Sequence, residues 1–224
     1  NVVFAGKLPY DPLKDFAPVS MVATAPHILV THPSLPAKNV QELIALARAK
    51  PNELNYASGS PGSATHIAAE LFKAMARVDM VRINYKGTGG AISDLMAGQV
   101  QLMFPSAGAA MQHVKAGRLR ALAVASAEPS ALTPGLQTVA ASAGLPGYDS
   151  RTLTALFAPA KTPGVIITRL NQEFVRALSR PDVKEKLFNN AIEVVASSPE
   201  QLTAQIKSEM ASIGKVVREA GLRE

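Results

Sequence analysis

The chain has 224 residues, 47% of them apolar, with no cysteine and a formal net charge of +6. Such apolar content supplies a sizeable core and argues against disorder, and the lack of cysteine removes disulfides, thiolate metal sites and cysteine nucleophiles. The longest apolar runs, His27 to Thr31, Ala121 to Ala125 and Leu153 to Ala158, fall far short of the roughly 20 residues that cross a bilayer.

The basic excess draws in anions. A nucleic-acid partner would gather Lys, Arg and aromatics on one face; here the basic residues are scattered, aromatics are 5% and Trp is absent, so small anions fit better. The chain opens at Asn1 without an initiator Met or a charged-then-apolar leader, as expected of a processed chain or of a piece of a longer one.

In chain order, Ala17 to Ala23 and His27 to Thr31 read as strands. Asn39 stands three residues before Glu42, a capping-box spacing, and opens a helix through Leu43, Ile44, Leu46 and Ala47. A strand over Leu54 to Ala57 leads to a helix from Ala64 to Ala76, with Ile67, Leu71 and Met75 on one face. Next come a strand over Met80 to Tyr85, a helix from Ala91 to Ala97 stopped at Gly98, and strands over Val100 to Phe104 and Leu119 to Ser126. Pro and Gly concentrate in Glu128 to Gly147, a surface connection with at most a short helix around Val139 to Ala143. After the strand Leu153 to Ala158 the chain is mostly helix, interrupted by a strand over Ile192 to Ala196. Ser198, with Pro199 at the first helical position and Gln201 three residues on, starts the last helix, which ends at Gly221. Alternating βα units with a helical tail predict an α/β protein, an open sheet flanked by helices plus a segment that packs elsewhere.

Three strand-end segments carry the chemistry. In Leu54 to His66 a strand runs into Ser58-Gly59-Ser60-Pro61-Gly62-Ser63, and that loop opens the helix at Ala64. Small side chains let a ligand approach the backbone. Unpaired amides and the positive end of the helix dipole favour a carboxylate. The same pattern also suits an ordinary Gly/Ser loop with a serine N-cap, and the residues alone leave both readings standing. Neither a Walker Lys nor a Gly-x-Gly-x-x-Gly spacing is present, which disfavours a nucleotide. The second segment, Asn84-Tyr85-Lys86-Gly87-Thr88-Gly89-Gly90, offers a hydroxyl and a positive charge, although Lys86 also suits a solvated surface position. The third is the turn at Pro105 and Ser106 after Phe104. Ligands of open α/β sheets sit at the carboxyl ends of strands, where all three segments lie.

Catalysis has less support. His27, His32, His66 and His113 show no metal-ligand spacing, and no Gly-x-Ser-x-Gly elbow occurs. An α/β hydrolase-like use of Ser63 with His66 lacks a visible orienting group; His66 reads better as a residue packed near the helix start. The expectation is no enzyme, no cofactor and no metal.

Taken together, Lys7 to Ser20, Leu54 to His66, Tyr85-Lys86-Gly87, Gly98 to Phe104, Gly117 to Val124, Ala143 to Tyr148 and Ala158 to Pro163 resemble, collinearly and nearly end to end, the substrate-binding receptors of tripartite tricarboxylate transporters, the Bug or TctC-like family. The resemblance implies a type II periplasmic-binding-protein architecture, with two α/β domains and a cleft between them. It also implies a periplasmic location, capture of a small organic acid, and delivery to the membrane components of a tripartite transporter. A sensor kinase as the docking partner is the alternative. Carried onto this sequence, the ligand-facing candidates are Ser58, Gly59, Ser60, Gly62, Ser63, Ala64, Tyr85, Lys86, Pro105 and Ser106. Pro105 departs from the polar residue many relatives carry there. Members also carry a further segment before Lys7, so the first domain is expected to be incomplete. On this reading residues 1–15 finish the first domain and cross over, 16–150 form the second domain with the ligand loops, and 151–224 return to the first. A full-length chain is expected to be monomeric, and a fragment to dimerise or swap elements through surface left uncovered.

Overall fold

The computed structural model describes residues 9–219. Its contacts divide into two compact units: one is Pro26–Thr152, and the other gathers the described residues up to Ala25 with those from Leu153 onward.

In the terminal unit, β1 (Phe16–Pro26) lies between two strands from the far end of the chain, β7 (Arg151–Pro159) and β8 (Glu193–Val194), in the order β7-β1-β8. It runs antiparallel to β8, with Ala23 opposite Val194. Helices α6 (Gly164–Leu178), α7 (Pro181–Asn189) and α8 (Pro199–Glu219) complete the unit. Asn171 on α6 donates to the carbonyls of Val19 and Ser197, both at 2.8 Å. The sequence reading grouped 16–150 together; the sheet pairing instead places residues 16–25 with the C-terminal segment. Pairing partners so far apart in the chain leave no local pattern to read. The expected helix end at Gly221, and Lys7 and Leu8 of the first matching segment, lie outside the described residues.

The central unit is built on a five-stranded sheet, ordered β4-β3-β5-β2-β6, from β2 (Ile28–Thr31), β3 (Asn55–Ser58), β4 (Val81–Asn84), β5 (Leu102–Met103) and β6 (Arg120–Val124). Strands β4, β3 and β5 are parallel, while β2 runs antiparallel to β5 and β6, its register against β6 shifting between Leu29 and Val30. Helices α1 (Val40–Ala49), α2 (Ala64–Ala76), α3 (Thr88–Met96), α4 (Ala107–Lys115) and α5 (Val139–Ala143) connect and flank the sheet. All eight strands of the described residues overlap the runs that predict them.

Two helices differ from expectation. α3 begins at Thr88 rather than Ala91, because Gly87 takes the extended N-cap position without a side-chain cap. α4 replaces what reads as loop after Phe104; it buries only Ala107 and Ala110, too little apolar periodicity to announce a helix.

The core of this unit joins α1, α2 and the sheet through Leu43, Tyr56, Phe72, Leu102, Phe104 and Tyr148, all buried. Phe72, Phe104 and Tyr148 form a ring cluster with centroids 5.5 to 6.4 Å apart. The Tyr148 hydroxyl donates to the Ala68 carbonyl at 3.0 Å, so a fully buried phenol keeps a partner. α2 is thereby clamped to the sheet along its apolar face, and its N-terminus is held at the end of β3.

Candidate functional site

Parallel pairing sets Ser58 opposite Asn84 and Ala57 opposite Met103. The chain therefore leaves β3, β4 and β5 on the same edge of the sheet, with the β3 exit in the middle. The Gly/Ser loop, the Tyr85-Lys86 turn and the Pro105-Ser106 turn all start there.

The Gly/Ser loop is held by hydrogen bonds within itself and to the first turn of α2. The Gly59 amide donates to Thr65 Oγ1 at 3.0 Å, the Gly62 amide to His66 Nδ1 at 3.1 Å, and the Ser63 amide to the Ser60 carbonyl at 2.9 Å. Ser63 is the N-cap of α2: its hydroxyl accepts from the His66 amide at 3.4 Å and lies 3.2 Å from Thr65 Oγ1. Gly62 is buried at a φ of +72°, where a side chain is strained. At Gly59 a Cβ would come within 3.0 Å of Ser63 Oγ, so the cap and the loop interlock only around glycine.

What remains is specific. Ser60 and Ala64 are exposed; Ala64 and Thr65 are first-turn residues of α2, whose amides the helix itself cannot satisfy. Of the loop candidates, Gly59, Gly62 and Ser63 have amides already hydrogen-bonded, while Ser60 and Ala64 are exposed and their amides take no part in those bonds. Ser58 is buried, with its hydroxyl inside the sheet edge.

At the second turn the Tyr85 hydroxyl donates to Asp94 Oδ2 on α3 at 2.8 Å. Burial, followed by the hydrogen bond and charge of Asp94, pushes its pKa up to about 12, so it stays protonated and keeps lone pairs for a donor. Lys86 is exposed, next to the uncapped start of α3. At the third turn Pro105 is buried and its carbonyl accepts from the Ile28 amide at 2.9 Å. Pro105 therefore anchors the turn to β2. Ser106 is the half-exposed N-cap of α4, makes no side-chain cap bond, and pairs across a β-bridge with His27.

Two residues outside the ligand-facing candidates belong to this constellation. Thr65 ties Gly59 to the Ser63 cap. Arg82 on β4 reaches across to β3, its Nε donating to Ser58 Oγ at 2.7 Å and its Nη2 to the Gly59 carbonyl at 2.7 Å. Strand register alone could have found Arg82, since it pairs with Tyr56 and shares a sheet face with Ser58.

His66 is buried, and burial first, then the Arg82 charge, lowers its pKa to about 4. A neutral ring accepting the Gly62 amide makes it a structural prop of the loop, as the sequence reading favours over a base toward Ser63. Beneath it, the Tyr56 hydroxyl donates to Glu70, which also pairs with Lys73 at 2.9 Å. Among the described residues no group of three or more His, Cys, Asp or Glu could hold a metal, and no helix is long and apolar enough to cross a membrane.

A loop of small and hydroxyl residues between a strand end and a helix start suits an anion, and similarity to known proteins points the same way. Residues 3–222 match the tripartite tricarboxylate transporter family receptor, TctC. The chain is 35% identical over 216 residues to the protein BugT of Bordetella pertussis, covering 96% of this chain and 66% of BugT. It thus spans about two thirds of the length of such curated relatives. Among solved structures, a Rhodopseudomonas palustris protein with adipate is 34% identical, with a TM-score of 0.88 over 96% of this chain and 72% of that one. MatC of Rhodopseudomonas palustris with bound malate is 30% identical, with a TM-score of 0.86 over 96% and 74%. The fold is that of the type II periplasmic binding proteins, and the relatives are solute receptors rather than enzymes. The chain belongs to the TctC family of tripartite tricarboxylate transporter receptors.

Proposed function

We propose that this chain is the carboxylate-capturing part of a periplasmic solute-binding protein that hands a small organic acid to the membrane components of a tripartite transporter. The observation that carries this reading is the exposed pair Ser60, in the loop, and Ala64, in the first turn of α2, whose amides are left out of the loop's own hydrogen bonds. Their neighbours Gly59, Gly62 and Ser63 are already bonded within the loop. A carboxylate there accepts from both amides and meets the positive end of the helix dipole. Tyr85, Lys86 and Ser106 supply a hydroxyl, a cation and a second hydroxyl at the adjoining turns. Ser58 and Pro105 act from behind, one under the loop and one against β2. The adipate and malate seen with two relatives support a dicarboxylate of four to six carbons. Residues from Pro26 to Thr152 are the ligand-loop domain, and the terminal unit is part of the other domain.

Thermal unfolding against a panel of adipate, malate, citrate and neutral amino acids tests the reading. An acid present at about 100 times its dissociation constant adds roughly 2.7 kcal/mol, and the melting temperature rises visibly with that acid class only. Equal melting temperatures across the panel would rule the carboxylate reading out.

Association belongs to the same reading. A chain of the relatives' full length is monomeric, whereas this chain dimerises or exchanges elements through exposed apolar surface of the terminal unit.

A further inference from the structure

Arg82 is a guanidinium whose fork is spent on neutral acceptors. Besides Ser58 Oγ and the Gly59 carbonyl, Nη2 donates to Asn84 Oδ1 at 3.0 Å. None of the ion pairs among the described residues includes it. Its reach spans two strands and the first residue of the Gly/Ser loop, and β4 is the edge strand that carries it.

The consequence follows from peptide geometry. A trans peptide is planar, so the carbonyl of one residue and the amide of the next point in opposite directions. Arg82 holds the Gly59 carbonyl at 2.7 Å, which turns the Ser60 amide away from the guanidinium. The units on either side are pinned as well: the Gly59 amide is held by Thr65 Oγ1, and the Ser60 carbonyl accepts from Ser63. Between Gly59 and Ser63, Ser60 N–H is thus the amide that has a fixed direction and no acceptor within the loop or α2.

We infer that Arg82 is a positioning residue of the ligand site, turning the Gly59–Ser60 peptide so that the Ser60 amide is presented to a ligand carboxylate. The inference rests on the carboxylate reading above and deepens it. A lysine keeps the charge but not the planar fork that holds two acceptors on adjacent strands, so the geometry and the charge can be separated.

The test is calorimetric titration of the chain with adipate, and with malate as a second probe, in wild type, Arg82→Lys and Arg82→Gln. Ser60 and Ala64 amide resonances are followed by 1H–15N NMR, and thermal unfolding confirms the fold. Both variants are expected to bind at least about tenfold more weakly, with the acid-induced Ser60 shift lost and the Ala64 shift kept in Arg82→Lys. If Arg82→Gln fails to fold, Arg82→Lys carries the test. Wild-type affinity and an intact Ser60 shift in Arg82→Lys would overturn the inference and leave the carboxylate reading standing. A wild type that binds neither acid would overturn both.

Discussion

Single residues in the Gly/Ser loop have divided work. Gly62 is there for its backbone, since only glycine holds a φ of +72° without strain. Gly62→Ala should cost about 1–2 kcal/mol of stability, read as a lower urea midpoint. The buried His27 makes a second residue-scale case. Its Nδ1 lies 2.8 Å from Ser150 Oγ and its Nε2 3.0 Å from Thr152 Oγ1, and burial depresses its pKa to about 4. The folded state thus binds the proton less readily than the unfolded chain, whose histidine titrates near 6.5. This contribution is complete above about pH 6.5 and is lost as the pH falls toward 4. Up to about 3 kcal/mol is involved. Urea midpoints between pH 7 and 4.5 should fall for wild type and fall less steeply for His27→Gln; parallel slopes would contradict the assignment. Gly62, Ser63 and His66 are legible in the sequence because their bonds lie within four positions of one another. Arg82 is not, because its partners at Ser58 and Gly59 come to it only through the register of β3 against β4.

At the scale of elements, α2 is the part on which the site depends. Ala68, Ala69, Phe72 and Ala76 face the core, and Phe72 meets both Phe104 and Tyr148. Phe72→Ala opens a cavity in that cluster and should lower the unfolding free energy by about 3–5 kcal/mol, with acid affinity lost in parallel as the helix start loosens. Denaturant melts with and without adipate measure both effects. Helices with caps and an apolar stripe, such as α1 and α2, announce themselves; α4 does not, since alanine and glycine dominate its first turn and its burial comes from the sheet it happens to meet. Strand positions were readable from β-branched runs, but the partners of β1 were not. Nothing near Ala23 signals that Val194 will lie opposite.

Across the whole molecule the exposed apolar side chains are unevenly shared. Among the described residues, Tyr10, Leu13, Phe16, Phe157, Val165, Ile166, Phe188 and Val195 stand exposed in the terminal unit, against Val81 alone in the central one. Val165 is 77% exposed and Ile166 beside it 48%, both in the first turn of α6. Surface of that kind drives association, so light scattering should give a mass above 23.5 kDa that rises with concentration. Ile166→Lys with Phe188→Lys should shift it back toward one chain. A strictly monomeric wild type would remove the association reading.

The 3.0 Å approach of His27 to Thr152 has another use. The central unit begins at Pro26 and ends at Thr152, so its two ends are neighbours. A segment with adjacent ends is a cassette: it can be spliced into a surface loop of a host, or have its ends joined and new ones opened elsewhere, without a long spacer. Residues 26–152, excised on that principle, offer a compact carrier on which the Gly/Ser loop can be re-engineered apart from the rest of the chain.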